Sequence, residues 1–547
     1  MHPRNRVLAA ALLAIAIAAP ASAQVTSNSL PATDPWGVGW LGANDGPLPV
    51  TFWNHTSEAG LAPLFAALKP RELAPSARQA LRRVLMSKAK SPGGVTLIPE
   101  RLRLLEEIGE SEGAIDLRRR YKDTGWGKQA DLMSAEFDLA RGQKDAACAL
   151  AGKQAAGDKA WLPVRALCAA LAGDVGAANV LVERIVSTDE AVGLWLLGAL
   201  AAINAPELKK AEGRYGTPFE AAVSVAAKLP VAANAIMGMR ADVAAAIATN
   251  AGATQTQRRA AMRVAVEGGK LKAADVAAVL ALAPDVAPAR GAKADPLAQA
   301  IAVAADKEAA PAAKAAAYAA ALKGAETLTD ARIAALGLLA AIKALPRNDA
   351  TLAYAELFAR ANLLAGDVGQ AGEWRKHLAT MAADTQDAWA MARLDLMLSL
   401  AGAKGDKPEV LLDRMIAATQ PKPDAKPGAA ASSGEQQLAI RRIENTRVLF
   451  LHVGLGRELS GEQRTLLSAS RTAGRGVPDA AIARITAAAR QDADGEAMLA
   501  AIGQLGNDVS ALSFAGLSDL LAQLTVVGMG DDAEAIALES MQVWKAF

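Results

Sequence analysis

The sequence predicts an all-α protein: a right-handed α-solenoid of helical hairpins with an irregular N-terminal arm. Three observations predict it. Of the 547 residues, 52% are hydrophobic, and alanine, the best helix former, fills most of that share. Only 4% are aromatic, which disfavours strands built from aromatic and β-branched residues. A glycine-hinged turn also recurs between apolar helical segments. The apolar fraction excludes wholesale disorder, because enough surface is available to offset the entropy of ordering.

Residues 1–23 read as a secretory signal. Arg4 and Arg6 form the basic start, Val7 to Ala19 is an apolar stretch of 13 residues, and Ala21-Ser22-Ala23 is a small-residue cleavage site before Gln24. A bilayer span needs about 20 apolar residues, so this stretch is short for an anchor. The longest later run, Val192 to Ile203, reads as a buried helix, so no transmembrane segment is expected in the mature chain. The expected address is the periplasm, with secretion beyond it as the alternative. Cleavage would leave 57 basic against 57 acidic residues, with no global attraction for nucleic acid or anionic lipid.

Residues 24–56 carry Pro31, Pro35, Pro47 and Pro49, four glycines, and Trp36, Trp40 and Trp53. No helical period runs through them. They read as an extended arm whose tryptophans dock into a groove, either of this chain or of a partner. Helices follow over 57–418. Pro75 starts one with Ala77, Ala80, Leu81, Val84 and Leu85 on one face, and Pro99 starts another with Leu102, Leu105 and Ile108. Residues 419–435, centred on Pro421-Lys-Pro-Asp-Ala-Lys-Pro-Gly, form a linker or loop. A C-terminal helical segment covers 436–547, where Ser460 and Gln463 make a capping box.

The recurring turn is Gly, four residues, then Ala: Gly109/Ala114, Gly142/Ala147, Gly173/Ala178, Gly366/Ala371 and Gly530/Ala535. The string Leu171-Ala-Gly-Asp-Val-Gly176 returns verbatim as Leu364-Ala-Gly-Asp-Val-Gly369. Glycine permits the left-handed turn that ends one helix, and alanine lets the next helix approach closely. Ala135, Ala166 and Ala359 stand seven residues before three of these glycines. In these features the chain resembles the tetratricopeptide repeat, over 99–184, 350–380 and 515–542. It departs from that pattern in lacking most of the large aromatics early in the first helix, and 216–345 is too alanine-rich to phase. The resemblance implies a superhelix whose groove holds a helix or an extended peptide.

Charge is uneven. Residues 71–128 carry 13 Lys/Arg against 8 Asp/Glu, including Arg118-Arg119-Arg120, while 491–547 carry nine acids and only Lys545. Three readings stand: solvated helix faces, faces that steer partners, or ends that attract each other. Trp36, Trp40, Trp53, Arg118, Arg119 and Arg120 are accordingly the candidate partner-binding residues. Cys148 and Cys168 are the only cysteines. In an oxidising compartment they are either a disulfide across neighbouring antiparallel helices or two small buried side chains.

The search for chemistry yields no catalytic residue, no cofactor and no metal site. His55, His377 and His452 lack partners at metal-ligand spacing. Ser87-Lys-Ala-Lys90 matches the S-x-x-K of β-lactam-reactive enzymes without its S-D-N and K-T-G companions, and Gly454-Leu-Gly456 lacks the third glycine of a dinucleotide loop. The long helical array also resembles that of soluble lytic transglycosylases. Of their catalytic Glu-Ser pair followed by Gly-Leu-Met-Gln, only Glu110-Ser111 and Glu539-Ser540 occur here, each without that run. The expected function is a non-enzymatic scaffold for envelope proteins or peptides; the alternative is a cell-wall or polysaccharide-associated protein, either a binding module or a transglycosylase-like enzyme lacking a recognisable catalytic domain.

Overall fold

The structure is a computed structural model that describes residues 34–121, 125–205, 211–232, 235, 238–283, 295–381, 387–420, 433–470 and 474–542. The signal, the first ten residues of the arm and most of the 419–435 linker lie outside the described residues. Among those described there are 27 α-helices, short 3-10 turns and no named strand, the only sheet-like pairing being an isolated bridge between Arg475 and Leu512. None of the helices is long and apolar enough to cross a membrane.

Local chemistry sets the helix starts. Proline occupies the first turn of Pro75–Met86, Ile98–Glu107, Leu162–Leu171, Pro218–Ala226, Pro296–Ala305, Pro311–Gly324 and Pro408–Ala417. There its missing N–H costs nothing and its fixed φ suits the helix. Capping boxes open Pro218–Ala226 (Thr217/Glu220), Gln255–Glu267 (Thr254/Gln257), Leu328–Ala344 (Thr327/Asp330) and Gly461–Ala469 (Ser460/Gln463).

One hinge ends many of the helices. At Gly109, Gly142, Gly173 and Gly366 the backbone is left-handed, with φ between 78° and 82°. At Gly109 its own N–H donates to Glu106 O (3.0 Å) and the next N–H to Leu105 O (2.7 Å), so two otherwise orphaned carbonyls are satisfied. The same pair of bonds closes the other three turns. Five residues on, Ala114, Ala147, Ala178 and Ala371 are buried, as are Ala135, Ala166 and Ala359 on the preceding helices.

The fifth turn is a correction. Gly530 begins the helix Gly530–Met541, and Ala535 is exposed. Gly528 takes the left-handed turn (φ 82°), and the alanine five residues later, Ala533, is the buried one. The register is therefore two residues earlier, because two glycines compete for one hinge and the helix dipeptide Asp531-Asp532 favours the first turn after Gly530.

A sixth hinge carries no glycine. Asp492 adopts φ 55°, makes the same two backbone bonds, and is followed five residues on by buried Ala497. Positions 456, 492 and 528 are each 36 residues apart, as are 366 and 402, all with left-handed backbone. Lys228 (φ 50°) closes an equivalent turn. Because an L side chain resists this conformation by roughly 1–2 kcal/mol and glycine does not, Lys228→Gly is expected to raise stability by about 0.5–1 kcal/mol. Asp492→Gly should gain less, since aspartate tolerates the region better. Denaturant midpoints check both, and an unchanged midpoint for Lys228→Gly would remove the strain argument.

Consecutive helices pack as hairpins, with Val175–Val186 lying between Leu162–Leu171 and Glu190–Asn204. In the alanine-rich middle, Pro311–Gly324 buries Ala315, Tyr318, Ala319 and Leu322 against its neighbours. Residues from Asp34 onward belong to one compact unit. One core unites residues 36–117 with 300–541, while residues between 115 and 280 build two further clusters, with Ile333 joining the second. The arm and the 436–547 segment thus share a core with the first helices.

The two ends of the described chain are neighbours. Helix Pro75–Met86 packs against Asp494–Leu505 and Gly530–Met541, and Glu58–Ala67 packs against Asp494–Leu505. Ala74 N–H donates to Gly506 O (2.6 Å), Gly495 N–H to Phe52 O (2.8 Å), and Ser76 N–H to Glu539 Oε2 (2.7 Å). Gly495 sits against the Trp53 ring and leaves no room for a Cβ.

Candidate functional site

The arm is held from inside. Asp34 accepts from Trp36 N (3.0 Å), Trp36 Nε1 donates to Gly94 O (2.9 Å), and the Trp36 ring meets Trp53 and Phe65 edge-on at 5.7 and 6.3 Å. Trp40 is half-buried and donates through Nε1 to Asp116 Oδ2 (2.8 Å). Beneath them Arg101 is 2% exposed, donates to the carbonyls of Pro35, Val38 and Leu85, and lies 5.5 Å from the centroids of Trp36 and Trp40. Trp36 and Trp53 are buried in this chain's own core, so neither offers a ring to a partner. Of the two docking sites considered for the arm, its own groove is the one occupied.

The arginine triplet divides. Arg118 is buried, with Nη2 2.6 Å from Glu106 Oε1. Arg119 and Arg120 stay exposed beside local acids, Arg119 at 3.4 Å from Asp131 and Arg120 at 2.8 Å from Asp116. Cys148 on Lys144–Gly152 and Cys168 on Leu162–Leu171 form a disulfide with Cα atoms 5.7 Å apart. Arg165 braces the same hairpin by donating to the carbonyls of Ala151, Gln154, Ala155 and Ala156.

Residues singled out for chemistry are engaged structurally. Ser87 is buried, donates to Arg83 O (2.7 Å) and accepts from Leu48 N (3.0 Å). Ser540 donates to Ala537 O (2.7 Å), and Glu539 receives Ser76 N–H. Glu110 pairs with Lys270 at 2.6 Å and with Arg82. Gly456 is a helix hinge, and Gly454 ends Ser433–Gly454. His452 is buried with Nδ1 2.9 Å from Val448 O, and burial pushes its pKa down. No group of three or more His, Cys, Asp or Glu side chains is placed to hold a metal among the described residues.

Acids and bases meet in two interior places, the first of which sequence reasoning missed. The first lies between Ile98–Glu107, Ser111–Arg120, Trp126–Ala140 and the start of Ala241–Thr249. There Arg240 approaches Asp242 (3.0 Å) and Glu106 (3.6 Å). Burial pushes the Glu136 carboxyl up to about 7 from 4.5, against the attraction of Arg240 and with the repulsion of Glu106 and Glu220. Between those values the folded state holds a proton that the unfolded chain has released, so stability falls as pH rises through this window. Glu136→Gln is expected to stabilise the fold by about 2 kcal/mol above pH 7 and to change nothing below pH 4.5. Denaturation of both proteins across pH 4–8 checks this, and parallel curves would refute it.

The second place is where the two ends of the described chain meet. Arg83 pairs with Asp532, and Glu539 acts electrostatically on Arg78, so part of the basic stretch faces part of the acidic one. A cavity of about 370 Å³ opens here between Pro75–Met86, the turn after Gln255–Glu267, Leu328–Ala344, the end of Ala355–Leu364 and Gly530–Met541. Its wall is apolar at Ile108, Leu336, Leu364 and Leu538 and charged at Arg78, Arg82, Lys270, Arg332, Glu267 and Glu539. An adjoining cavity of about 340 Å³ shares Pro75, Arg332 and Glu539.

No family model matches the chain, and no curated protein or solved structure matches it.

Proposed function

We propose that this chain is an exported, non-enzymatic helical-repeat scaffold of the bacterial cell envelope. In this reading it is a tetratricopeptide-like right-handed α-solenoid whose ends are drawn together, and it holds envelope proteins or peptides in the periplasm. The observation that carries the reading is the repeated hinge, a left-handed residue followed five positions later by a buried alanine, at 109, 142, 173, 366, 492 and 528. A hairpin of this kind cannot bury its apolar face alone, so stacking hairpins both stabilises the array and leaves faces open to partners. Such open faces are the exposed Leu194 and Leu197, one turn apart on Glu190–Asn204, and Ile440 and Ile443 on Ser433–Gly454. Single exposed apolar residues are ordinary, whereas pairs on one helix face suit a helix or peptide in a groove.

The test is recovery of tagged full-length protein after cross-linking in envelope fractions. A defined partner recovered with the unaltered chain and lost with Leu194→Glu/Leu197→Glu is the expected result, together with a mature N-terminus at Gln24. Absence of a reproducible partner, or release of muropeptides by the purified protein, would defeat the scaffold reading.

A further inference from the structure

The cavity between the chain ends contains an electrostatic imbalance. Arg82 and Lys270 both turn to Glu110, and Arg78 has Glu267 at 3.7 Å and Glu539 nearby. Arg78 is further fixed by donating from Nε to Leu73 O (2.9 Å). Around this cavity, with Glu110 counted as the partner of Arg82 and Lys270, four cations thus face three carboxylates, while Glu326 and Asp508 line only the adjoining cavity that Arg332 also borders. The cation left over is Arg332, half-buried on Leu328–Ala344, which makes no ion pair or hydrogen bond among the described residues. Its guanidinium is close enough to Arg78 for the two to repel. A half-buried guanidinium held beside another cation, with five donors and no acceptor, is a costly arrangement to leave empty. The Ser76 hydroxyl is buried and has no hydrogen-bond partner, although the Ser76 backbone N–H is taken by Glu539.

Apart from Gln79 and Gln542, the rest of the wall is largely aliphatic, with Ile108, Leu271, Leu336, Leu363, Leu364 and Leu538. A pocket of this size, apolar with a few convergent polar groups, has the makeup of a small-molecule site. Within this cavity the charge count admits one negative charge, and the aliphatic wall demands an apolar body. We propose that this cavity binds a small organic monoanion, an apolar carboxylate whose charged end meets Arg332 and whose body lies against the leucines. Because the wall is drawn from the first, middle and last parts of the described chain, the bound carboxylate also clamps the ends together. This site is separate from the exposed helix faces assigned to partners and stands or falls independently of them.

Octanoate, octanamide, octylamine and inorganic phosphate are the probes, each titrated calorimetrically into the full-length mature protein. Octanoate is expected to bind saturably at one site and to raise the melting temperature. Octanamide and octylamine, which keep the body and lose the negative charge, should bind at least ten-fold more weakly. Arg332→Gln should weaken octanoate at least ten-fold, since a charge-assisted bond to an anion is at stake, and Arg332→Lys should retain part of the affinity. The unliganded Arg332→Gln protein should melt as the parent does or slightly higher, because Arg332 has no partner to lose. Absence of saturable octanoate binding, equal binding of octylamine, or undiminished binding by Arg332→Gln would each overturn the proposal. Phosphate binding as tightly as octanoate would overturn the requirement for an apolar body.

Discussion

Replacing Arg101 with methionine is expected to cost about 3–5 kcal/mol and to loosen the N-terminal arm. The side chain donates four hydrogen bonds to three main-chain carbonyls, two from the arm (Pro35 at 2.8 Å, Val38 at 2.8 Å) and Leu85 of the helix beneath (3.1 and 2.7 Å). Burial pushes its pKa down to about 10, so it remains charged at neutral pH. Hydrogen bonds to the charged form and the faces of two indoles replace the lost water. Methionine fills the space but leaves those contacts without a donor, and a buried unpaired acceptor costs more than the bond it lost. Lysine should not rescue, because one ammonium cannot span carbonyls that the planar guanidinium reaches together. The measurement is denaturant unfolding combined with hydrogen exchange at two amides that tie the arm to the helix beneath, Trp40 N–H bonding Met86 O and Ala89 N–H bonding Trp36 O. A loss below about 1 kcal/mol with those amides still protected would show that the tryptophans, rather than Arg101, hold the arm.

Local features of the fold were legible because their causes are local. A proline at a helix start, a serine capping box and a glycine hinge each act within a few residues, so Pro75, Ser460/Gln463 and four of the five proposed turns stand where the pattern put them. The slip at Gly530 has the same local origin, since Gly528 and Gly530 offer two registers and the pattern did not weigh Asp531 and Asp532, the acids of the first turn. The hinge at Asp492 was hidden because the pattern demanded glycine, whereas the turn demands only a left-handed residue. Non-local features were not legible. Arg101 adjoins the face carrying Leu102 and Leu105, and only the carbonyls of a distant arm explain its burial. Likewise Ser76 and Glu539 are separated by most of the chain, and no period links them. The sole trace of their meeting was the basic excess of 71–128 against the acidic excess of 491–547, which also fits ordinary solvated helices. Arg332 drew no attention at all, for its lack of a partner is a property of five helical segments brought together.

The other large effect is expected at the end of the last described helix. Ser540 O and Met541 O, which have no partner within Gly530–Met541, accept from Arg447 (2.6 Å) and Arg393 respectively. Cations at a helix C-terminus are favoured by its partial negative charge as well as by these bonds. Both arginines sit beside one carboxylate, Glu444, at 3.3 Å from Arg393 and 3.7 Å from Arg447, and both Glu444 and Arg393 are 3% exposed. Glu444→Leu therefore takes from a buried guanidinium the carboxylate that most supports its charge and is expected to cost about 3–5 kcal/mol. Burial already lowers the Arg393 pKa, and Glu444 is the neighbour that most opposes that shift. The double variant Arg393→Met/Glu444→Leu should recover a large part of the loss, because replacing both charges with apolar groups removes two desolvation penalties together. Recovery cannot be complete, since Met541 O then lacks its donor and the Trp389 ring loses the Arg393 cation. Denaturant unfolding of the two single variants and the double closes the cycle. If the double variant proves as unstable as the summed singles, the two side chains act independently, and the end of the last helix is held by its carbonyl bonds rather than by the buried pair.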